Sequence, residues 1–172
     1  MSFITPELII SGCSLAITIY FWIVKASNEK PNLEFFQLSN FRATARSIPD
    51  DKSIKRLSMT QMDTGGVLVV NQSTRQDSVV VFDCWLKTDS GILRGDWGYL
   101  GDDKPPWNVG PQSTIAISPA CHFDVPADFE IPDDFLFKIV FYTASGTQFS
   151  HTFLKSAPRF HAEVDDDWKV AA

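Results

Sequence analysis

Apolar and polar positions fall along this chain in two unlike patterns. From Leu8 to Val24 the sequence LIISGCSLAITIYFWIV runs for seventeen residues without a charge or a proline, and Lys25 follows at once. From Leu33 onward the apolar residues come in short runs, many alternating with polar ones and separated by Gly, Pro, Asp and Ser. The first pattern belongs to one helix in an apolar medium, the second to half-buried strands.

A helix needs about 20 residues to cross a hydrocarbon core, and the flanks of the apolar run supply the remainder. Thr5-Pro6-Glu7 offers a capping hydroxyl, a proline at the first helical position and a carboxylate near the positive end of the helix dipole. The expected element is a transmembrane helix over residues 6–25, which makes the lipid bilayer a partner of the chain. Tyr20 and Trp22 fall at headgroup level and Lys25 reaches beyond them. A cleaved secretory signal is the first rival, with Val24-Lys25-Ala26 as its site, but residues 1–7 lack the Lys or Arg of a basic leader and the apolar run is long. A buried core helix is the second, and the run shows only scattered Ser and Thr in place of a polar face. Gly12 and Ala16 stand at a spacing that lets helices approach each other. Lys25 and Lys30 follow the helix, with Arg42 and Arg46 further on, so the positive-inside bias puts the domain in the cytoplasm.

Residues 26–32, rich in polar groups and holding Pro31, read as a tether. Leu33 to Ile48 reads as a first strand with Phe36, Leu38 and Phe41 inward and a bulge near Ser39-Asn40; a turn at Pro49 to Lys52 ends it. Leu57–Met62 and Val67–Asn71 are strands whose break, with Gly65-Gly66, is a hairpin or a bulge. Val79 to Lys87 alternates most clearly, and Val80, Phe82, Cys84 and Leu86 share its core face. Residues 91–110 hold five of the nine glycines together with Pro105 and Pro106, and read as a loop. Short strands are expected at Ser113–Ser118 and Cys121–Val125. Two alternating runs, Phe135–Tyr142 and Thr147–Leu154, flank Thr143-Ala144-Ser145-Gly146, a strong hairpin signal that sets Phe137, Ile139 and Phe141 against Phe149, His151 and Phe153.

Seven or eight strands at this spacing, with no second long helical period, predict an all-β domain. The expected architecture is an immunoglobulin-like or fibronectin-III-like β-sandwich of seven or eight strands behind one N-terminal transmembrane helix. The boundaries follow: an N-terminal tip at 1–5, the helix at 6–25, the tether at 26–32, the sandwich at 33–155 and an acidic tail at 156–172. The tail's Asp165-Asp166-Asp167 opposes burial, so disorder is expected there unless Phe160 and Trp168 dock it, and a short partner-binding motif is the sharper alternative. The antibody-type Cys…Trp…Cys signature is missing, because Trp85 lies beside Cys84 on the opposite strand face.

Charge narrows the function. With 21 acidic against 15 basic residues the net charge is −6, and no Lys/Arg cluster tracks a phosphate backbone, which disfavours nucleic acid. Cys13, Cys84 and Cys121 form no CxxC; the last two read as small buried hydrophobes, with one disulfide open to them in an oxidising compartment. Asn71-Gln72-Ser73 is a glycosylation sequon. The best candidate site is the glycine-aromatic-acid loop, where Trp97, Tyr99 and Trp107 accompany Asp96, Asp102 and Asp103, a mixture suited to a sugar face, a cation or a Pro-rich peptide. Binding is expected at Trp97, Tyr99, Asp102, Asp103 and Trp107; the plain alternative has these rings capping the core. The Asp50-Asp51, Asp102-Asp103 and Asp133-Asp134 pairs lack calcium-loop spacing, His122, His151 and His161 lack zinc spacing, and no catalytic or phosphate-loop motif occurs. No cofactor is expected.

The functional expectation is a membrane-anchored, non-catalytic binding or assembly module, with a protein as its partner. Two other classes compete. One is a small hydrolase or metal-dependent enzyme using Cys121, His122 or the Asp pairs. The other is a structural subunit that joins an oligomer through an edge strand.

Overall fold

The computed structural model describes residues 6–49, 51–62, 65–89, 91–100, 102, 104–133 and 135–155. Helix α1 (Pro6–Asn28) is followed by strands β1 (Leu33–Gln37), β2 (Phe41–Ile48), β3 (Asp51–Gln61), β4 (Val67–Asn71), β5 (Asp77–Thr88), β6 (Gly91–Tyr99), β7 (Trp107–Val109), β8 (Thr114–Ile117), β9 (Pro119–Pro126), β10 (Leu136–Thr143) and β11 (Gln148–Leu154). The domain is all-β, in two sheets, behind one apolar helix. Among the described residues eleven strands replace the expected seven or eight, because long strands bend from one sheet into the other and part of the glycine-rich stretch is a strand.

The small sheet has the order β1-β4-β8, and the large one β11-β10-β5-β6-β9-β3-β2, with β7 paired to β5. The order β1-β4-β8 repeats as β2-β3-β9 in the large sheet, so three chain segments run side by side through both. Each bends at the same level, where only residues 38–40, 62–66 and 118 lie between successive strands. Pairing persists through the bend: Leu38 N donates to Gly66 O at 2.7 Å, Met62 N to Asn40 O at 3.0 Å, and Gly65 N to Ser118 Oγ at 2.7 Å. Gly65 sits at φ +76°, and a side chain on Gly66 would collide with Ser39 and Gln61. The glycine break at 65–66 therefore marks neither a hairpin nor a bulge, since β3 and β4 lie in different sheets.

Along Leu33–Asn40 the expected parity is reversed. Leu33, Phe35 and Gln37 are buried while Leu38 is exposed. Gln37 takes a core position because its amide closes the sheet: Nε2 donates to Leu154 O at 2.6 Å, and Leu154 N donates to Oε1 at 3.1 Å. Phe41 N donates to Lys155 O at 2.9 Å beside it. The large sheet thus curls until β2, at one end, meets β10 and β11 near the other. Phe41 packs edge-on against Phe137 and Phe153, and Phe35 stacks on Phe141 with ring centroids 4.0 Å apart. Phe82, Phe123, Phe137, Phe141 and Phe153 are fully buried between these layers.

The β10–β11 hairpin has the register that its alternation predicts: Phe137 opposite Phe153, Ile139 opposite His151 and Phe141 opposite Phe149. In β5 the alternation breaks. The register to β10 shifts between Tyr142 and Thr143, so Val79 is buried and Val80 turns outward, while Phe82, Cys84 and Leu86 keep the core face.

Every side chain from Ile10 to Asn28 is exposed, including Leu15, Phe21 and Trp22. The helix runs on past Lys25, and its end is tied to the loop after β4. Asn28 O accepts Thr74 N at 3.0 Å, Glu29 pairs with Arg75 at 2.8 Å, and Gln72 N donates to Asn32 O at 2.9 Å. Asn71 is buried, and its Nδ2 reaches the carbonyls of Arg75, Val109 and Gly110. The tail at 156–172 lies outside the described residues.

Candidate functional site

Residues 91–110, expected as a loop, contribute β6 and β7. Gly95 and Gly98 are there to let strands approach closely: a Cβ on Gly95 would meet His122 O and the Phe123 ring, and one on Gly98 would sit 2.8 Å from His122 Nε2. Strand β6 pairs with β5 only as far as Gly95, then leaves it and pairs with β9 from Asp96 to Tyr99. That departure uncovers one side of the core, and the aromatic residues divide over the gap. Trp107 is a core residue, its ring stacked on Phe82 at 5.8 Å. Trp97 also reaches Phe82, at 5.8 Å, yet is 42% exposed, and Tyr99 two residues on is 47% exposed. Asp102 is exposed in the following turn, and Asp103 lies outside the described residues. Of the five candidate binding residues, then, Trp97 and Tyr99 present apolar surface on one face of β6, Asp102 lies near them in sequence, and Trp107 is buried against Phe82, the ring that Trp97 also reaches.

The opposite faces of β6 and β9 carry a polar surface that periodicity did not single out. In register across four strands stand Thr44, Ser58, His122 and Asp96, and in the next row Arg46, Arg56 and Asp124. His122 Nδ1 and Ser58 Oγ are 3.0 Å apart. Arg56 forks onto Asp124 with Nε–Oδ1 at 3.0 Å and Nη2–Oδ2 at 3.4 Å. Burial lowers the His122 pKa from its ordinary range, the Arg56 charge lowers it further, and the Asp96 charge partly offsets both. The ring is thus held toward its neutral form. Asp96 acts on it through charge, without a hydrogen bond to it among the described residues, so Ser58, His122 and Asp96 do not form a hydrogen-bonded relay. Only the strand register could have revealed this row, because its members are 64 and 26 residues apart in sequence.

The thiols of Cys84 and Cys121 are free, buried and in contact, and Cys84 Sγ donates to Asp96 O at 3.3 Å. Burial, with the Cys84 thiol beside it, pushes the Cys121 pKa well above the thiol range. A thiolate nucleophile is disfavoured in that setting. His151 is half-buried against Phe153 at 4.6 Å, and His161 lies outside the described residues. Asp50, Asp103 and Asp134, one member of each acidic pair, also lie outside them. Among the described residues no three His, Cys, Asp or Glu side chains gather as metal ligands.

No family model and no curated protein matches the chain. Among solved structures it is similar to a Bordetella pertussis chain given the name ApaA, at 16% identity over 76% of this chain and 98% of that one, with a TM-score of 0.39. A second structure, a Northeast Structural Genomics Consortium target, is 12% identical over 76% of this chain and 89% of its own, with a TM-score of 0.37. Likeness at these scores bears on neither function nor the finer class of the fold.

Proposed function

We propose that the chain is a single-pass membrane protein whose helix crosses the bilayer and holds a β-sandwich of the immunoglobulin or fibronectin-III kind at its surface, as a non-catalytic binding or assembly module. One observation carries this reading: the helix is long and apolar enough to cross a membrane, and none of its described side chains is covered by the domain. Its apolar surface needs an apolar medium that the described residues do not supply. Tyr20 and Trp22 lie near the end where Lys25 emerges, with the Lys25 ammonium 5.7 Å from the Trp22 ring. Lys25 and Lys30, joined by Arg75 on the tied loop, favour a cytoplasmic domain. The face offered to a protein partner is the Trp97–Tyr99 surface, where two exposed rings stand on a strand fixed by the core.

Membranes from expressing cells, washed at alkaline pH, give the test. The full chain stays in the pellet, and a chain lacking residues 1–24 moves to the supernatant. Release of the full chain by the wash would overturn the membrane reading. Protease added to intact spheroplasts leaves a cytoplasmic domain uncut, and cleavage there would reverse the orientation.

A further inference from the structure

We infer that the groove between Arg46 and Arg56 is a binding site for a small soluble oxyanion of the phosphate class. The two guanidinium groups stand on directly paired positions of β2 and β3, on the outer face of the sheet, and both are exposed. Like charges placed opposite each other in an antiparallel pair destabilise it, and this pair occurs in a chain whose net charge is −6. Asp124 neutralises Arg56 alone, occupying Nε and one Nη2 hydrogen. A guanidinium has five N–H donors, so three remain on Arg56 and all five on Arg46, which makes no ion pair among the described residues. Arg75 and Arg94, by contrast, are each matched to a carboxylate.

The space between them has the right size and lining. Arg46, Ser47, Ile48, Pro49, Arg56 and Ser58 enclose an open groove of about 360 Å³, near the lower end of the range for small-molecule sites. The Ser58 hydroxyl adds a polar group at its floor, already held by His122 Nδ1 at 3.0 Å. Two guanidinium groups line one concavity, Arg46 with its full donor set and Arg56 with the N–H groups that Asp124 leaves over, a donor set suited to the several oxygens of a phosphate. Placement decides the source of the phosphate. The helix is tied to the loop after β4, whereas Arg46 and Arg56 flank the β2–β3 turn at the far end of the bent ribbon. The groove thus lies at the end of the ribbon remote from the helix tie, which favours a solute over the headgroups around the anchor. The site stands whether or not the helix spans a membrane.

The test is calorimetric titration of the full chain, in neutral-detergent micelles, with inorganic phosphate at constant ionic strength made up with chloride. Saturable binding is expected, weakened about tenfold or more by Arg46→Gln and only in part by Arg46→Lys. Arg42→Gln, two rows away on the same face, leaves it unchanged. Arg46 is exposed, so these variants keep the fold, and matching thermal melts without phosphate verify that. Absence of saturable heat, or equal affinity in Arg46→Gln and the parent, overturns the site. Repeating the titration in nanodiscs of phosphatidylcholine, with and without phosphatidic acid, separates the sources. Unchanged phosphate affinity supports a soluble ligand, and competition by phosphatidic acid overturns that assignment in favour of a headgroup.

Discussion

Helix α1 and the hairpin β10–β11 are both rich in large apolar side chains, and they meet opposite fates. In the hairpin Phe137, Ile139, Phe141 and Phe153 are fully buried. In the helix Ile10, Leu15, Phe21 and Trp22 are each more than half exposed. Hydrophobicity alone does not separate them; period and partners do. Alternation gives the hairpin one face to set against β1, β2 and β5, and the core closes around it. The helix is apolar around most of its girth, and its one small hydroxyl line, Ser11, Ser14 and Thr18, carries no charge to direct it onto a sheet. The comparison teaches that the domain completes its core without the helix, and that the helix must find its cover elsewhere.

The comparison breaks most visibly if charge enters the helix. Replacing Leu15 and Ile19 together with Lys puts two charges near the middle of the span, at about 2.5–3.5 kcal/mol each on the insertion scale. The expected outcome is loss of membrane association, read by fractionation, with the domain's urea midpoint unchanged. A large fall in that midpoint would mean that the helix belongs to the fold. In the hairpin the reverse holds: Phe141→Ala empties a position stacked on Phe35 and touching Phe82, and is expected to cost about 3–5 kcal/mol of stability while membrane association persists. Gln37→Leu leaves the N–H and C=O of Leu154 without their Gln37 partners, at about 1 kcal/mol for each of these part-buried groups, measured by the same denaturation curve. His122 gives the smallest effect. Its pKa is depressed in the folded state, so the folded protein binds fewer protons than the unfolded chain; stability is complete above the ordinary histidine range near 6.5 and declines as pH falls from there through the folded pKa. His122→Gln removes that acid-side component, visible as a flatter stability profile between neutral and mildly acidic pH.

What was legible in the sequence is what local patterning decides. The helix announces itself by seventeen uncharged residues, and the last hairpin by its alternation around Ser145-Gly146. The bend is illegible because the chain continues extended on both sides of it; nothing at Ser118 marks a change of sheet. The parity of β1 could not be read because the residue that decides it, Gln37, is polar, and its partner Leu154 lies 117 residues away. Strand β6 hid behind its own glycines, which are needed where His122 and Phe123 cross it. For the candidate surface, sequence grouped Trp97, Tyr99 and Trp107 by proximity, whereas the departure of β6 from β5 separates two exposed rings from one core ring. The arginine groove was out of reach, since Arg46 and Arg56 become neighbours only once β2 and β3 pair.

The burial of Asn71 has a bearing on cell biology. Its side-chain amide, the atom that a sugar transferase would modify in the Asn71-Gln72-Ser73 sequon, lies inside the domain among three backbone carbonyls. A glycan added to the nascent chain there would block closure of the loop that also receives the helix. Glycosylation at Asn71 and the folded position of its side chain therefore exclude each other.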